Sequence, residues 1–401
     1  MLKIVLNILI KVVSALKTGG NMNKRVVIVD FNHMVHTYFY SQHRLSARVE
    51  ENGESVEKDT TIQNGCLKAI ARWSNQGNNP TAVCFDRPVP ARKAFYQNAL
   101  GMTIGTDKEY KAGREKMPDM MFQGVADSER ILRASGVSCF AQHNYEADDL
   151  IFACIQRAKV KYPDLPIDVV TNDADLLPLV DDRVSVFLRS KSGTYAESKD
   201  IEKMKYIQVT PRNFVEVVSG LSAYRGFYMP YNTLLLHKLL RGDPSDNFRR
   251  KDISKMFPMK KYNAMMEVFI NDYVNLQEIF RYGVPQYKIL YKGTDEEFNG
   301  TLEDALKSPD KGKLYQKIRN SEELDCILEI LKEYTDLDEE QLKAVESLYW
   351  GMNLNQPYVN ADPSLCRRAY VVGGRNEDIH EFDMSKLRNM CAPLRINFGG
   401  N

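Results

Sequence analysis

Three short runs of this chain are mainly apolar, with only Asp168 breaking the third, rich in β-branched residues, and closed by aspartate. They are RVVIVDF (25–31), TAVCFD (81–86) and IDVVTNDAD (167–175). A strand with one wet face alternates apolar and polar residues, so a strand that does not alternate must be covered on both faces. Helical periodicity fills the intervals, at 62–74, 120–135 and 147–160. Buried strands alternating with helices predict an α/β fold with a mostly parallel central sheet flanked by helices. From about residue 233 the pattern turns helical, first in TLLLHKLL and then in SEELDCILEILKEY within 290–345. The last stretch, from about 357, mixes short apolar runs with turns.

Composition sets limits on function. The 401 residues are 43% hydrophobic and 27% charged, the profile of a folded chain with one large domain or two ordinary ones. Lys plus Arg (54) nearly equals Asp plus Glu (53), so a nucleic-acid site would have to arise by local segregation of charge. Seven scattered cysteines form no CxxC pair, which argues against structural zinc and a disulfide framework and predicts a reducing, cytoplasmic setting. In residues 1–22, Lys11 interrupts an apolar run too short to span a bilayer. They read as an N-terminal, amphipathic extension, with no membrane partner expected.

The acids at the strand ends carry the chemistry. In an open parallel sheet, ligands bind beyond the carboxyl ends of the strands, where Asp30, Asp86, Asp173 and Asp175 would lie. One such aspartate needs no explanation beyond a turn or a helix N-cap; three strands in succession are harder to dismiss. The helix opening at YEADDL adds Glu146, Asp148 and Asp149 ahead of a buried face of Ala147, Leu150, Ile151, Cys154, Ile155 and Ala158. A helix dipole rewards one anion at its first turn by about 1 kcal/mol, which does not explain three facing other acids. Crowded carboxylates need a cation or raised pKa values, and an oxygen-only donor set suits Mg²⁺ or Mn²⁺. A last pair, Asp243 and Asp246 in GDPSDN, fits a helix cap equally well.

In order and local context these acids resemble the 5′-nuclease superfamily of flap endonucleases and bacterial or bacteriophage 5′→3′ exonucleases, ribonuclease H-type phage members included. YEADDL is similar to that family's E-A-D-D helix, TNDADLLPLV to its D-x-D-L-x-x-L-V segment, and GDPSDN to its G-D-x-S-D-N signature; the resemblance covers roughly residues 24–250. EYKAGREKMP, with Tyr110, Lys111 and Arg114, is similar to the Y-K-x-x-R at the base of the family's helical arch, and Arg87, Arg92 and Lys93 would line the same entrance.

The resemblance implies a PIN-like core with a helical arch and two divalent ions, Mg²⁺ with Mn²⁺ able to substitute. It assigns Asp30, Asp86, Glu146 and Asp148 mainly to one ion. Asp149, Asp173, Asp175 and Asp243 go mainly to the other, with Asp246 in the outer shell or at a weaker third ion. Lys111 and Arg114 are then the catalytic cations beside Asp30 and Asp173. The implied substrate is DNA with a 5′ flap, a nick or an RNA primer, cut by a monomer during replication alongside a polymerase or single-strand-binding protein.

One departure stands out: no glycine occurs between Gly242 and Gly283, where the family usually has a glycine-rich hairpin. Arg249, Arg250, Lys251 and Lys255, followed by Lys260 and Lys261, offer side-chain phosphate contacts instead, or form only a solvated basic face. His33 and His36 form an HxxH with no third ligand nearby and read as packing residues. No GxGxxG, Walker A or GxSxG motif is present. The expected division is an extension (1–22), a catalytic core with arch and downstream DNA-binding helices (23–289), and a mainly helical region packing on it (290–401). Two competing readings remain, an inactive nuclease-like nucleic-acid-binding protein and a PIN-type ribonuclease.

Overall fold

The computed structural model describes residues 24–40, 44–51, 53–89, 93–94, 111, 117–189, 206–221, 234–241, 327–328, 331–332, 338–352 and 378–398. Its centre is a six-stranded sheet, and chain order fixes the labels used here. Strand β1 is Val26–Asp30, followed by helix α1 (Phe31–Phe39) and a hairpin of β2 (Ser46–Glu51) and β3 (Glu54–Asp59). Helix α2 (Thr61–Trp73) leads to β4 (Thr81–Cys84), and α3 (Asp119–Ala134) to β5 (Ser138–Phe140). Helix α4 (Ala147–Lys161) precedes β6 (Ile167–Thr171), which a 3-10 turn (Ala174–Leu179) joins to β7 (Val184–Arg189). Then come β8 (Tyr206–Val209), α5 (Phe214–Gly220), α6 (Leu234–Arg241), α7 (Glu339–Met352) and α8 (Met384–Cys391).

The sheet order is β5-β4-β1-β6-β7-β8, parallel throughout except for β8 at the edge, so the expected α/β class with a mostly parallel sheet is what the chain adopts. The side-chain period of two explains why β1 has no polar interior residue. Val26 and Ile28 join the core under α4, while Val27 and Val29 join the core shared with α1, α2, α3 and α8. From β1 the chain moves one way to β4; through α4 it returns across β1 to β6. The sheet therefore has its switch point between β1 and β6, the usual place for a ligand crevice.

Several expected elements have corrected limits. The first strand stops at Asp30, because its carboxylate caps α1 and Phe31 is already helical. The run at 81–86 pairs only through Cys84. The short strands β5, β7 and β8 and the hairpin have weak sequence signals. The last stretch, least legible in sequence, carries α8 and bonds to the core. Thr81 N donates to His380 O at 3.0 Å, Ser138 Oγ to Asp378 O at 2.8 Å, and Tyr162 Oη to Ile379 O at 2.8 Å.

Gly77 makes this docking possible. Its φ of +87° suits glycine, and an added Cβ would meet Phe382 O at 2.2 Å. Leu387 of α8 is fully buried. Leu387→Ala is expected to lower unfolding free energy by about 2–5 kcal/mol, read as a shift in urea midpoint. Most of the expected arch, most of 290–345, and residues 1–22 lie outside the described residues, and no helix among those described is long and apolar enough to cross a membrane.

A candidate metal-binding active site

Each strand-end aspartate is placed by a capping bond. Asp30 Oδ1 accepts from His33 N at 3.4 Å at the start of α1, and Asp173 Oδ1 accepts from Asp175 N at 2.9 Å at the start of the 3-10 turn. Asp86 Oδ1 accepts from Ala147 N at 2.7 Å, capping α4 from a neighbouring loop. Helix starts leave backbone N–H groups without intrahelical acceptors, so one carboxylate oxygen satisfies the backbone at each point. The plain reason for an aspartate there holds, and the functional one is compatible with it.

Thr171 couples two of these acids. Its hydroxyl donates to Asp30 Oδ2 at 2.8 Å and accepts from Asp173 N at 2.9 Å, so β1 and the end of β6 are tied through one buried atom. On α4, Glu146 is the N-cap, not part of the helical face, and forms a reciprocal capping box with Asp149, whose Oδ2 accepts from Glu146 N at 2.9 Å. This explains two of the three crowded acids locally. Asp148 remains, facing the cluster.

The acids sense one another. Burial lifts the Asp30 carboxyl to about 6, with the charges of Asp86 and Asp173 adding to it against His33 and the Thr171 hydroxyl. Burial also raises Asp148 well above the usual carboxylate range, reinforced by Asp173, Asp30, Glu146 and Asp86. Convergence of Asp30, Asp86, Glu146, Asp148 and Asp173 is thus a property of the folded chain.

Three protein cations stand among them. His33 Nε2 lies 3.2 Å from Asp173 Oδ2 and 3.7 Å from Asp30 Oδ2, Lys111 Nζ lies 2.6 Å from Glu146 Oε1, and Lys238 Nζ lies 2.6 Å from Asp175 Oδ1. Burial opposes a charged imidazole at His33, yet Asp30 and Asp173, with Asp148 behind, outweigh it and raise the group to about 10. At Asp173 burial is likewise outweighed by the His33 bond and charge, which hold the carboxyl well below its usual range. The packing role expected for His33 is therefore corrected. His36 does pack, its ring stacking on Tyr40 at 6.2 Å.

His33 makes stability depend on pH in a defined direction. A folded-state pKa above the unfolded value gives stability that is full below about 6.5 for His33 and lost as pH rises through about 10. In chelator, the thermal midpoint should fall from pH 7 to pH 10, and less steeply in His33→Gln.

The donor set fits a hard cation. All the acids offer oxygen, they cluster at the switch point, and each partnered acid has a protein cation where a divalent ion would neutralise it. Among the described residues no three His, Cys, Asp or Glu side chains stand at ion-holding distances.

Other expected contacts fare differently. Arg87 Nη2 is bound to Glu129 of α3 at 2.5 Å, and Lys93 N donates to Val89 O at 3.1 Å. Tyr110, Arg114, Arg92, Asp243, Asp246, Arg249, Arg250, Lys251 and Lys255 lie outside the described residues. Sequence reasoning missed His33, Lys238 and Thr171. The available signals were a histidine one turn after Asp30, a lone lysine inside TLLLHKLL, and a hydroxyl two residues before Asp173.

The fold and these gathered carboxylates define a class, an α/β protein with an acidic cluster at the switch point of its sheet. Residues 25–207, a little under half of the chain, match the family described as "5'-3' exonuclease, N-terminal resolvase-like domain", and this span is similar to that family. The thermostable DNA polymerase I of Thermus filiformis is 28% identical over 193 residues, covering 48% of this chain and 20% of the polymerase. A 5′-3′ exonuclease of Buchnera aphidicola subsp. Schizaphis graminum is 23% identical over 253 residues, 62% of this chain and 74% of that protein. The crystal structure of T5 D15 protein co-crystallized with metal ions has a TM-score of 0.47 and 13% identity, with 92% of this chain and 100% of the other covered, too weak a likeness to carry an inference.

Proposed function

We propose that this chain is a divalent-metal-dependent 5′→3′ exonuclease or flap endonuclease that hydrolyses phosphodiesters near the 5′ ends of DNA or RNA–DNA, in primer or flap removal during replication. The observation that carries this reading is the convergence of Asp30, Asp86, Glu146, Asp148 and Asp173, with Lys111 on Glu146. Asp30, Asp86, Glu146 and Asp148 would hold one ion and Asp149, Asp173, Asp175 and Asp243 a second, with Asp246 further out. When bound, such ions lower the pKa of water and neutralise a leaving oxygen. Thr171 keeps Asp30 and Asp173 in register, and Asp86 and Asp149 anchor the start of α4. Lys111 would leave Glu146 for a phosphate oxygen, with Arg114 beside it, and stabilise the charge that develops there. In this reading residues 23–289 form the catalytic unit, and 290–401 support it.

The test offers 5′-labelled flap, nicked duplex, RNA–DNA hybrid and single-stranded RNA to wild type and Asp173→Ala, with Mg²⁺ and with chelator. Cleavage by wild type with Mg²⁺ alone, lost in Asp173→Ala, is the expected result. No cleavage of any substrate would favour a binding-only protein, and cleavage confined to single-stranded RNA would favour a PIN-type ribonuclease. Equal rates in Asp173→Ala would refute the assignment of the site.

A further inference from the structure

Next to Asp173 in the chain, Asn172 joins a second polar cluster that the reaction itself does not call for. Thr37, one helical turn beyond His33 on α1, is buried. Its hydroxyl accepts from Arg189 Nη1 at 2.8 Å and from Asn172 Nδ2 at 3.2 Å, and it donates to His33 O at 3.2 Å. Asn172 is held at its other end too, where its Oδ1 accepts from Arg189 N at 3.1 Å. Asn172 stands between Thr171 and Asp173, and Arg189 is the last residue of β7. Three elements are thus joined through one hydroxyl and one amide: the helix that carries His33, the turn that carries Asp173, and the edge of the neighbouring strand.

Thr171 ties the turn to Asp30, and Asn172 ties the same turn to α1 and β7, so the segment that carries Asp173 has two independent anchors. His33 bridges Asp30 and Asp173 in the metal-free chain, and a turn pinned on one side alone would leave their spacing to that one imidazole. We propose that Thr37, Asn172 and Arg189 are positioning residues that hold Asp173 against Asp30 and so set the affinity of the crevice for a divalent cation. None touches a reacting atom. Outer-shell partners that orient metal-ligating groups typically change affinity about 10–100-fold when removed.

This inference rests on the reading of the crevice as a metal site, and the two are tested separately by Mn²⁺ binding without nucleic acid. Free Mn²⁺ is counted by electron paramagnetic resonance against full-length wild type, Thr37→Val, Thr37→Ser and Arg189→Met, with thermal unfolding in chelator recorded for each. Thr37→Val and Arg189→Met are expected to bind Mn²⁺ about tenfold more weakly, and Thr37→Ser, which keeps the hydroxyl, to bind as wild type does. If wild type binds and the two variants bind within about twofold of it, with only the unfolding midpoint lowered, the cluster is structural and the proposal is overturned. It is overturned as well if Arg189→Met loses DNA affinity while keeping Mn²⁺ affinity, since Arg189 is then a phosphate contact. If wild type itself binds no Mn²⁺, the metal reading and this one fall together.

Discussion

Asp30→Asn is expected to abolish cleavage while making the metal-free protein more stable. Asp30 is 1% exposed, and burial with its acidic neighbours holds it at about 6, against 3.8 unperturbed. Above pH 6 the folded chain therefore carries an ionised carboxylate where it is disfavoured. Stability from the raised pKa is complete below about 3.8 and lost as pH rises through about 6. An amide in the same place escapes that loss and still offers an oxygen to cap α1. At pH 8 in chelator the gain should be about 1–3 kcal/mol, seen in urea unfolding. The same substitution removes a charged oxygen donor, and the cleavage rate should fall by about 10³-fold or more. A stabilised protein without activity would locate the repulsion at the site. A destabilised one would make Asp30 a structural acid and nothing else.

Lys111→Ala should give the second large effect, with a different signature. Lys111 has φ +60°, in the left-handed region where non-glycine residues are strained, and its ammonium lies on Glu146. Strain at a charged residue beside an acid cluster points to function. Loss of one such stabilising group typically costs about 10²–10³ in rate. Mn²⁺ binding should not weaken, because removing Lys111 frees Glu146 from a competing cation. A rate loss accompanied by an equal loss of metal affinity would instead make Lys111 a support for Glu146.

What the sequence made legible, and what it hid, divides along physical lines. Buried strands β1, β4 and β6 advertise themselves because coverage on both faces demands runs rich in apolar residues, broken in β6 only by Asp168, which pairs with Arg25. Each ends on, or two residues before, an acid that caps the start of a helix or turn. Strand β8 has two exposed residues in four, and the hairpin is mostly charged, so neither has a burial pattern to read. Long-range pairings were beyond reach for another reason. His33 with Asp173 is separated by 140 residues and Arg189 with Thr37 by 152, and no local periodicity encodes such meetings. The E-A-D-D start was over-read in one respect, since the capping box accounts for Glu146 and Asp149 together and leaves Asp148 as the unexplained charge.

The docking of residues 378–398 beside Gly77 and Thr81 has a consequence for biosynthesis. A ribosome adds about 5–20 residues per second, and domains form as their parts emerge. The carboxylates through Asp175 are all extruded long before α8, yet the core that α3 shares with α8 stays incomplete until α8 follows. The nascent chain therefore waits with an open apolar seam. During that interval a holdase that covers exposed apolar surface would find its binding site there.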